Sequence, residues 1–190
     1  MNEGLDTGDL LLEEKIKIDN DDNLNTLSEK LSILSAKLFI NATSSLEENI
    51  TKKINPQLKK QNTLGREITY ARMIEKSDFK VDWGNEAIII SQKIKALYPR
   101  ANTTFRNKNL KILKIKILSS DEIKNEKYLF INNYSRPGII IAVIENEGII
   151  ISTKTDPIIL LEAKLEGKNI SSKNQLIQQL KPTIGDYFSD

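Results

Sequence analysis

The stretch "GLDTGD", residues 4–9 of the 190-residue chain, contains the first side chains that could do chemistry. It places Asp6 and Asp9 in a turn with two glycines, directly before an apolar run. A loop carboxylate can orient water or accept a proton, but Asp and Gly are also the ordinary residues of tight turns. From these residues alone, a functional Asp6 and a purely structural turn both stay open, whereas Asp9 is expected to be structural.

Basic side chains form the second candidate site. Residues 51–120 carry 16 basic and 5 acidic side chains, a net charge of +11, whereas residues 1–50 carry −7 and residues 121–190 carry −2. Such a block is the electrostatic footprint that nucleic acids bind, although a solvated lysine-rich surface is the alternative. The candidate contacts are Lys52, Lys53, Lys59, Lys60 and Arg66 in an unpatterned stretch, with Lys114 and Lys116 in "LKILKIKIL".

Strict alternation in "LKILKIKIL" places Lys114 and Lys116 on one face of a strand and Lys111 on the other. A lysine row on a sheet face is typical of charge-driven, sequence-tolerant binding to a duplex. Lysines that protect an edge strand from aggregation are the alternative. Aromatic residues make up only 6% of the chain, so stacking on single-stranded bases is the less favoured mode.

The composition excludes several classes of site. The chain contains neither histidine nor cysteine, which removes thiolate and imidazole ligands and the commonest general base. We therefore expect no metal site. The lack of cysteine fits the reducing cytoplasm, and no apolar run approaches the roughly 20 residues that would span a bilayer. We expect a cytoplasmic monomer that does not enter membranes.

Apolar periodicity predicts the first elements. The run "DLLLEEKIKI", residues 9–18, is predicted to be a strand. The helix that follows should be capped by Asp21 or Asp22, with Thr26 and Glu29 at capping-box spacing. Strand and helix together are expected to be the last unit of an incomplete α/β sheet. The helix is predicted from leucines at spacings of three and four: Leu24, Leu27, Leu31, Leu34 and Leu38.

The pattern changes twice further along the chain. Residues 49–78 have no sustained period, and a second helix is predicted from Asn85, its cap, to Tyr98. Trp83, the only tryptophan, is expected to be a buried anchor. After Pro99 the period becomes two, in short runs between turn signals that end in a small helix, "SKNQLIQQL", and this pattern predicts a small barrel or sandwich. The predicted runs are "NTTF", "LKILKIKIL", "KYLFI", "GIIIAVI", "GIIIST" and "PIILLEAKL". The expected domains are residues 1–48, 49–78 as a basic linker, and 79–190.

Taken together, these stretches resemble methionyl-tRNA formyltransferase. The matching segments occur in the family's order: "GLDTGDLLLEEKIKI", "LSEKLSILSAKL", "TYARMIEKSDFKVDW", "IKALYP", "LKI" and "EGK". The resemblance runs through most of the chain and is strongest at residues 4–18 and 69–99. Two departures stand out, since Met73 replaces the family's usual lysine and "LYPRANTT" replaces its usual "NPWPGA".

The resemblance implies a function and a fold. The family transfers a formyl group from 10-formyltetrahydrofolate to the methionine amino group on initiator methionyl-tRNA, in translation initiation. The chain is expected to hold an α/β remnant, the last strand and helix of a Rossmann-like domain, followed by an OB-like open β-barrel that faces tRNA. Of the family's catalytic Asn, His and Asp, the motif carries over only Asp6, with Gly4, Thr7 and Gly8 as candidate lining of the folate pocket.

Without the family's His-bearing segment, the chain alone is expected to lack formyl transfer and to correspond to the C-terminal portion of such an enzyme. Two alternatives stay open. One is a stand-alone RNA-binding barrel. The other is a related formyltransferase or formyl-folate hydrolase that acts on a small substrate, which would have less use for the positive block.

Overall fold

A computed structural model of the chain describes residues 3, 7–53, 58–60, 69–124, 128 and 136–189. The chain forms two compact units, Met1–Met73 and Ile74–Asp190. The first unit is built on one long helix, and the second on an antiparallel sheet with short helices. Each unit is described below by itself.

The long helix α1 spans Leu24–Lys52 and confirms the leucine periodicity, although it continues past the point where that period fades. Asn23 caps it: its side chain accepts hydrogen bonds from the first turn, while Thr26 Oγ1 accepts one from the Asn23 amide at 2.9 Å. The predicted caps at the preceding aspartates and the predicted box of Thr26 with Glu29 are therefore wrong. A cap must immediately precede the first helical residue, and Asn23 holds that position.

The predicted strand over residues 9–18 does not form, which corrects the expected α/β remnant. Among the described residues of the first unit, the only strand-like contact of residues 9–18 is an isolated bridge between Leu10 and Lys59. In this bridge the Leu10 amide donates to the Lys59 carbonyl at 2.8 Å. Alternating apolar residues form a strand only where neighbouring backbone supplies hydrogen-bond partners. This segment is therefore not part of a sheet.

Within its described residues, the second unit holds seven strands in one antiparallel sheet. The strands are β1 (Asn102–Phe105), β2 (Lys108–Ile117), β3 (Ile140–Ile144), β4 (Gly148–Ile151), β5 (Ile158–Leu165), β6 (Ile170–Ser172) and β7 (Phe188–Ser189). Their order across the sheet is β3-β4-β5-β2-β1-β7, with β6 beside β5. The helices are α2 (Ala87–Ala96), α3 (Ser120–Ile123) and α4 (Lys173–Leu180), with a 3-10 turn at Lys76–Phe79.

The sheet is curled, because backbone hydrogen bonds also join its two outer strands. The Phe188 amide donates to the Gly138 carbonyl at 2.9 Å, and the Ile140 amide donates to the Asp186 carbonyl at 2.8 Å. The strands β1 to β5 confirm five of the predicted runs, and α4 confirms the predicted small helix. The predicted run "KYLFI" lies outside the described residues except for Tyr128.

Apolar clusters cover both faces of the sheet. The larger cluster includes residues of α2 and α4, and a smaller one around Leu118 and Tyr128 lies on the opposite face. β5 contributes side chains to both clusters, since Leu160 belongs to the larger cluster and Ile159 to the smaller. This is why β5 begins with the continuous apolar run "IILL", as expected for a strand segment with two covered faces.

The second predicted helix is shorter than expected at both ends. α2 begins at Ala87, whose amide donates to Thr155 Oγ1 at 3.0 Å, so the predicted cap at Asn85 is wrong. The Asn85 side chain instead donates to Asp82 Oδ2 at 2.9 Å. Trp83 is only 2% exposed and donates from Nε1 to Thr103 Oγ1, which confirms its prediction as a buried anchor.

Candidate nucleic-acid interface

The predicted catalytic turn is only partly described. Asp6 and Gly4 lie outside the described residues, whereas Thr7 is exposed and Gly8 is half-buried. A methyl group added at Gly8 would meet no other atom within 4 Å, so the backbone there borders open space. The catalytic role of Asp6 and the folate-lining role of this turn both stay predictions.

The basic residues of the first unit lie at two places. Lys52 and Lys53 end α1, where Lys52 pairs with the Glu48 carboxylate one turn earlier at 3.1 Å. Lys59 forms the isolated bridge to Leu10, and Lys60 is the next residue. All four lysines are exposed. Arg66 lies outside the described residues. Cations on the last turn of a helix also complement its dipole, so Lys52 has a structural use besides any binding role.

A β-bulge changes the predicted faces of β2. Ile112 pairs with Ala163 and Lys114 pairs with Glu162, so Leu113 is an extra residue in the ladder. A bulge resets the inward and outward alternation. Lys111, Lys114 and Lys116 are consequently all exposed on the face opposite the larger apolar cluster, and the prediction that Lys111 lies on the other face is wrong.

The position of β2 in the sheet decides between the two explanations for Lys111. At this residue β2 lies between β1 and β5 and is paired with both Asn102 and Lys164. Lys111 therefore does not protect an open edge from aggregation, and its exposure needs another reason. From Lys114 onward the described strands pair β2 with β5 alone, so edge protection stays an alternative for Lys114 and Lys116.

The predicted lysines of β2 differ in their surroundings. Lys114 lies opposite Glu162 on β5, and Lys116 forms an ion pair with Glu122 of α3 at 2.5 Å. The Lys116 ammonium, helped by hydrogen bonds from Ser119, lowers the pKa of the Glu122 carboxyl from its ordinary 4.5 to about 2. Lys116 is therefore partly neutralised within the fold.

The Glu122 pKa predicts a specific acid sensitivity. Because its pKa is lowered in the folded state, the pair stabilises the fold fully above pH 4.5, and this contribution disappears as the pH falls toward about 2. Glu122→Gln should lower the free energy of unfolding at pH 7 by less than about 1 kcal/mol, since the pair is partly exposed. Urea unfolding at pH 7 and pH 3 measures both effects.

Glu145→Gln is the matched control for this experiment, because Glu145 is exposed at a turn. The control should leave both free energies close to wild type. The difference between wild type and Glu122→Gln should shrink at pH 3. An equal difference at both pH values would contradict the assignment of the pair.

Two lysines that the sequence did not single out lie in the same row as Lys111. Lys164 of β5 is directly opposite Lys111, and Lys80 is bridged to Asn102, the β1 partner of Lys111. The alternation in "LLEAKL" could have indicated that Lys164 faces outward. Its register against Lys111 depends on the strand pairing, which the sequence does not carry.

Among the described residues, no group of three or more acidic side chains, the only strong metal ligands in this composition, is placed to hold a metal ion. Across the same part of the chain, no helix has both the length and the apolar character to cross a membrane.

Comparison with known proteins identifies the family. A family model described as "Formyl transferase, C-terminal domain" matches residues 73–181. Over its whole length the chain is 84% identical to a methionyl-tRNA formyltransferase of Prochlorococcus marinus strain MIT 9312, and it covers 58% of that protein. It is 39% identical, over 99% of its length, to a methionyl-tRNA formyltransferase of Synechococcus sp. strain CC9902, again covering 58% of it.

Solved structures agree on the fold. A variant of HypX from Aquifex aeolicus matches with a TM-score of 0.63 at 12% identity, over 97% of this chain and 31% of HypX. HypX in complex with tetrahydrofolic acid matches with a TM-score of 0.59 at 13% identity, over 97% of this chain and 30% of HypX.

The chain therefore belongs to the formyl transferase family, through the C-terminal domain of that family, which confirms the resemblance. Its curated relatives along the whole chain are methionyl-tRNA formyltransferases, and it spans 58% of their length.

Proposed function

We propose that this chain is part of a methionyl-tRNA formyltransferase and that its main role is to hold initiator methionyl-tRNA. In this proposal the sheet of the second unit works as an OB-like barrel facing tRNA, and residues 49–78 work as a basic linker. The formyl donor is 10-formyltetrahydrofolate, and Asp6 assists proton removal from the attacking amine beside Gly4, Thr7 and Gly8. Identity to methionyl-tRNA formyltransferases along the whole chain supports this assignment.

The observation that carries the tRNA-binding role is the exposure of Lys111 at a position where β2 is paired on both sides, with Lys114 exposed on the same face. Residues 51–120 carry a net charge of +11, whereas an enzyme for a small substrate would need no such block. Cations spread over an exposed surface neutralise phosphates along a nucleic acid, with an affinity that depends strongly on salt. Phosphate contacts of this kind position an RNA without reading its sequence.

Charge reversal of three of the predicted contacts tests the proposal. The triple variant Lys59→Glu, Lys60→Glu and Lys114→Glu should bind initiator methionyl-tRNA roughly a hundredfold more weakly near 0.1 M salt, because each lost phosphate contact removes about one unit of salt dependence. Filter binding of the purified 190-residue chain at several salt concentrations measures both quantities.

The matched control reverses Lys37, Lys154 and Lys181, which are exposed lysines outside the predicted contacts. It makes the same change in net charge and should retain most of the affinity. Circular dichroism checks that both variants are folded. Equal losses in the two triple variants, or a wild-type affinity for tRNA that ignores salt, would overturn the proposed role.

A further inference from the structure

Three lysines form one row across the face of the sheet that is opposite the larger apolar cluster. Lys80 is bridged to Asn102 on β1, Asn102 pairs with Lys111 on β2, and Lys111 pairs with Lys164 on β5. The row ends at Ile170 of β6, the partner of Lys164. Since neighbouring strands are about 4.8 Å apart, Lys80 and Lys164 lie roughly 14 Å apart across the sheet.

The row faces away from the larger apolar cluster. Val81 and Ile112, which adjoin Lys80 and Lys111 in the chain, are fully buried in that cluster, so the lysines beside them point outward. All three lysines are exposed. Within the described part of the chain, none of their ammonium groups has a hydrogen bond or an ion pair, in contrast to Lys116.

The pairing of Lys111 with Lys164 opposes stability. Like charges directly opposite each other on neighbouring strands destabilise a sheet. A neutral or acidic residue at either position would suit the fold better, as Glu162 does opposite Lys114. The fold therefore holds two repelling ammonium groups side by side, at an interior position where edge protection does not explain them.

We propose that the Lys80–Lys111–Lys164 row binds the sugar-phosphate backbone of the RNA substrate, a step that rests on the proposed tRNA-binding function. A polyanion relieves the repulsion between Lys111 and Lys164 and gains a contact with each. The row includes residues that the sequence did not predict as contacts, and it excludes Lys116, whose charge Glu122 already offsets.

The composition of this surface favours a nucleic acid over a protein partner. Protein interfaces are enriched in aromatic and apolar side chains and depleted in lysine. The row presents three lysines and one asparagine, with Ile170 as its only large apolar side chain. A row of cations with a single large apolar side chain at one end matches a charged polymer, so the contact should be sequence-tolerant.

The test measures RNA affinity and thermal stability in the same variants of the 190-residue chain. Lys111→Gln with Lys164→Gln should weaken binding of initiator methionyl-tRNA about tenfold near 0.1 M salt and reduce the salt slope by about 1.5 to 2 units. The same double variant should melt about 1–4 °C higher, because the repulsion is gone. Lys164→Glu, which places opposite charges across the strands, should also melt higher and bind at least as weakly.

The control is Lys154→Gln with Lys181→Gln, two exposed lysines outside the row. It should change affinity less than about threefold, as expected for long-range charge alone. The proposed role of the row is overturned if the double variant binds tRNA no worse than this control, or if it loses affinity and melting temperature together. In either case, salt-dependent binding of tRNA by the wild type still supports the proposed function. If wild type itself shows no salt-dependent affinity for tRNA, the proposed function fails first.

Discussion

Gly148→Ala should cause the largest loss of stability in the second unit. Gly148 begins β4 with a φ of +156°, and an added Cβ would lie 2.3 Å from the Leu160 carbonyl oxygen on β5. Since that oxygen is backbone, no side-chain rotation relieves the clash, and β4 must separate from β5. We expect a loss of at least about 4 kcal/mol, the range of exceptional single substitutions, from a total of roughly 5–15 kcal/mol.

Gly167→Ala is the matched control, because Gly167 also has a positive φ, +73°, but no atom lies within 4 Å of an added Cβ. It should cost only the backbone strain of a left-handed alanine, about 1–2 kcal/mol. Thermal unfolding followed by circular dichroism compares the two. If Gly148→Ala proved as stable as Gly167→Ala, the close approach of β4 to β5 would be refuted.

The elements predicted correctly from the sequence are those whose own side chains determine them. The leucine stripe of α1 has a helical period, and the first half of β5 is apolar on both faces because the two clusters meet it from both sides. β6 and β7, which have three and two residues, are too short to show any period. Their positions depend on the strands beside them.

Three of the wrong predictions share one cause, which is dependence on a partner that the local sequence does not reveal. Residues 9–18 have the pattern of a strand but only one bridging partner among the described residues of their unit. Lys111 was assigned to the wrong face because the bulge at Leu113 depends on the register with β5. Ala87 finds its amide acceptor on Thr155, which is 68 residues away in the chain.

The candidate site also depends in part on partners that the local sequence does not reveal. The concentration of positive charge is a property of composition, and the sequence indicates it directly. Which lysines point outward and which are neutralised depends on pairing, as with Lys116 and Glu122 or Lys111 and Lys164. The sequence thus identifies a basic surface, and the sheet register selects the residues that can serve it.

Phe188→Ala should cause the second-largest loss of stability. Phe188 is fully buried in β7, with its ring centroid 4.9 Å from Phe105 and 5.7 Å from Trp83. Near it, Trp83 Nε1 donates to Thr103 Oγ1, which donates to the Ser189 carbonyl. Removing the ring leaves a cavity where three chain segments meet, and a buried Phe→Ala substitution costs about 3–5 kcal/mol.

Tyr187→Ala is the control that separates the ring of Phe188 from the attachment of β7 as a whole. Tyr187 is the preceding residue, is 41% exposed and contacts the Arg136 guanidinium, 4.9 Å from its ring centroid. Its loss should cost less than the loss of Phe188, because the Tyr187 ring is partly exposed and exposed cation–π contacts are weak. Urea unfolding should therefore rank wild type, Tyr187→Ala and Phe188→Ala in that order. Similar losses for both variants would mean that β7 is held by its backbone pairing to β1 and Gly138, so that the aromatic cluster adds little to the closure of the sheet.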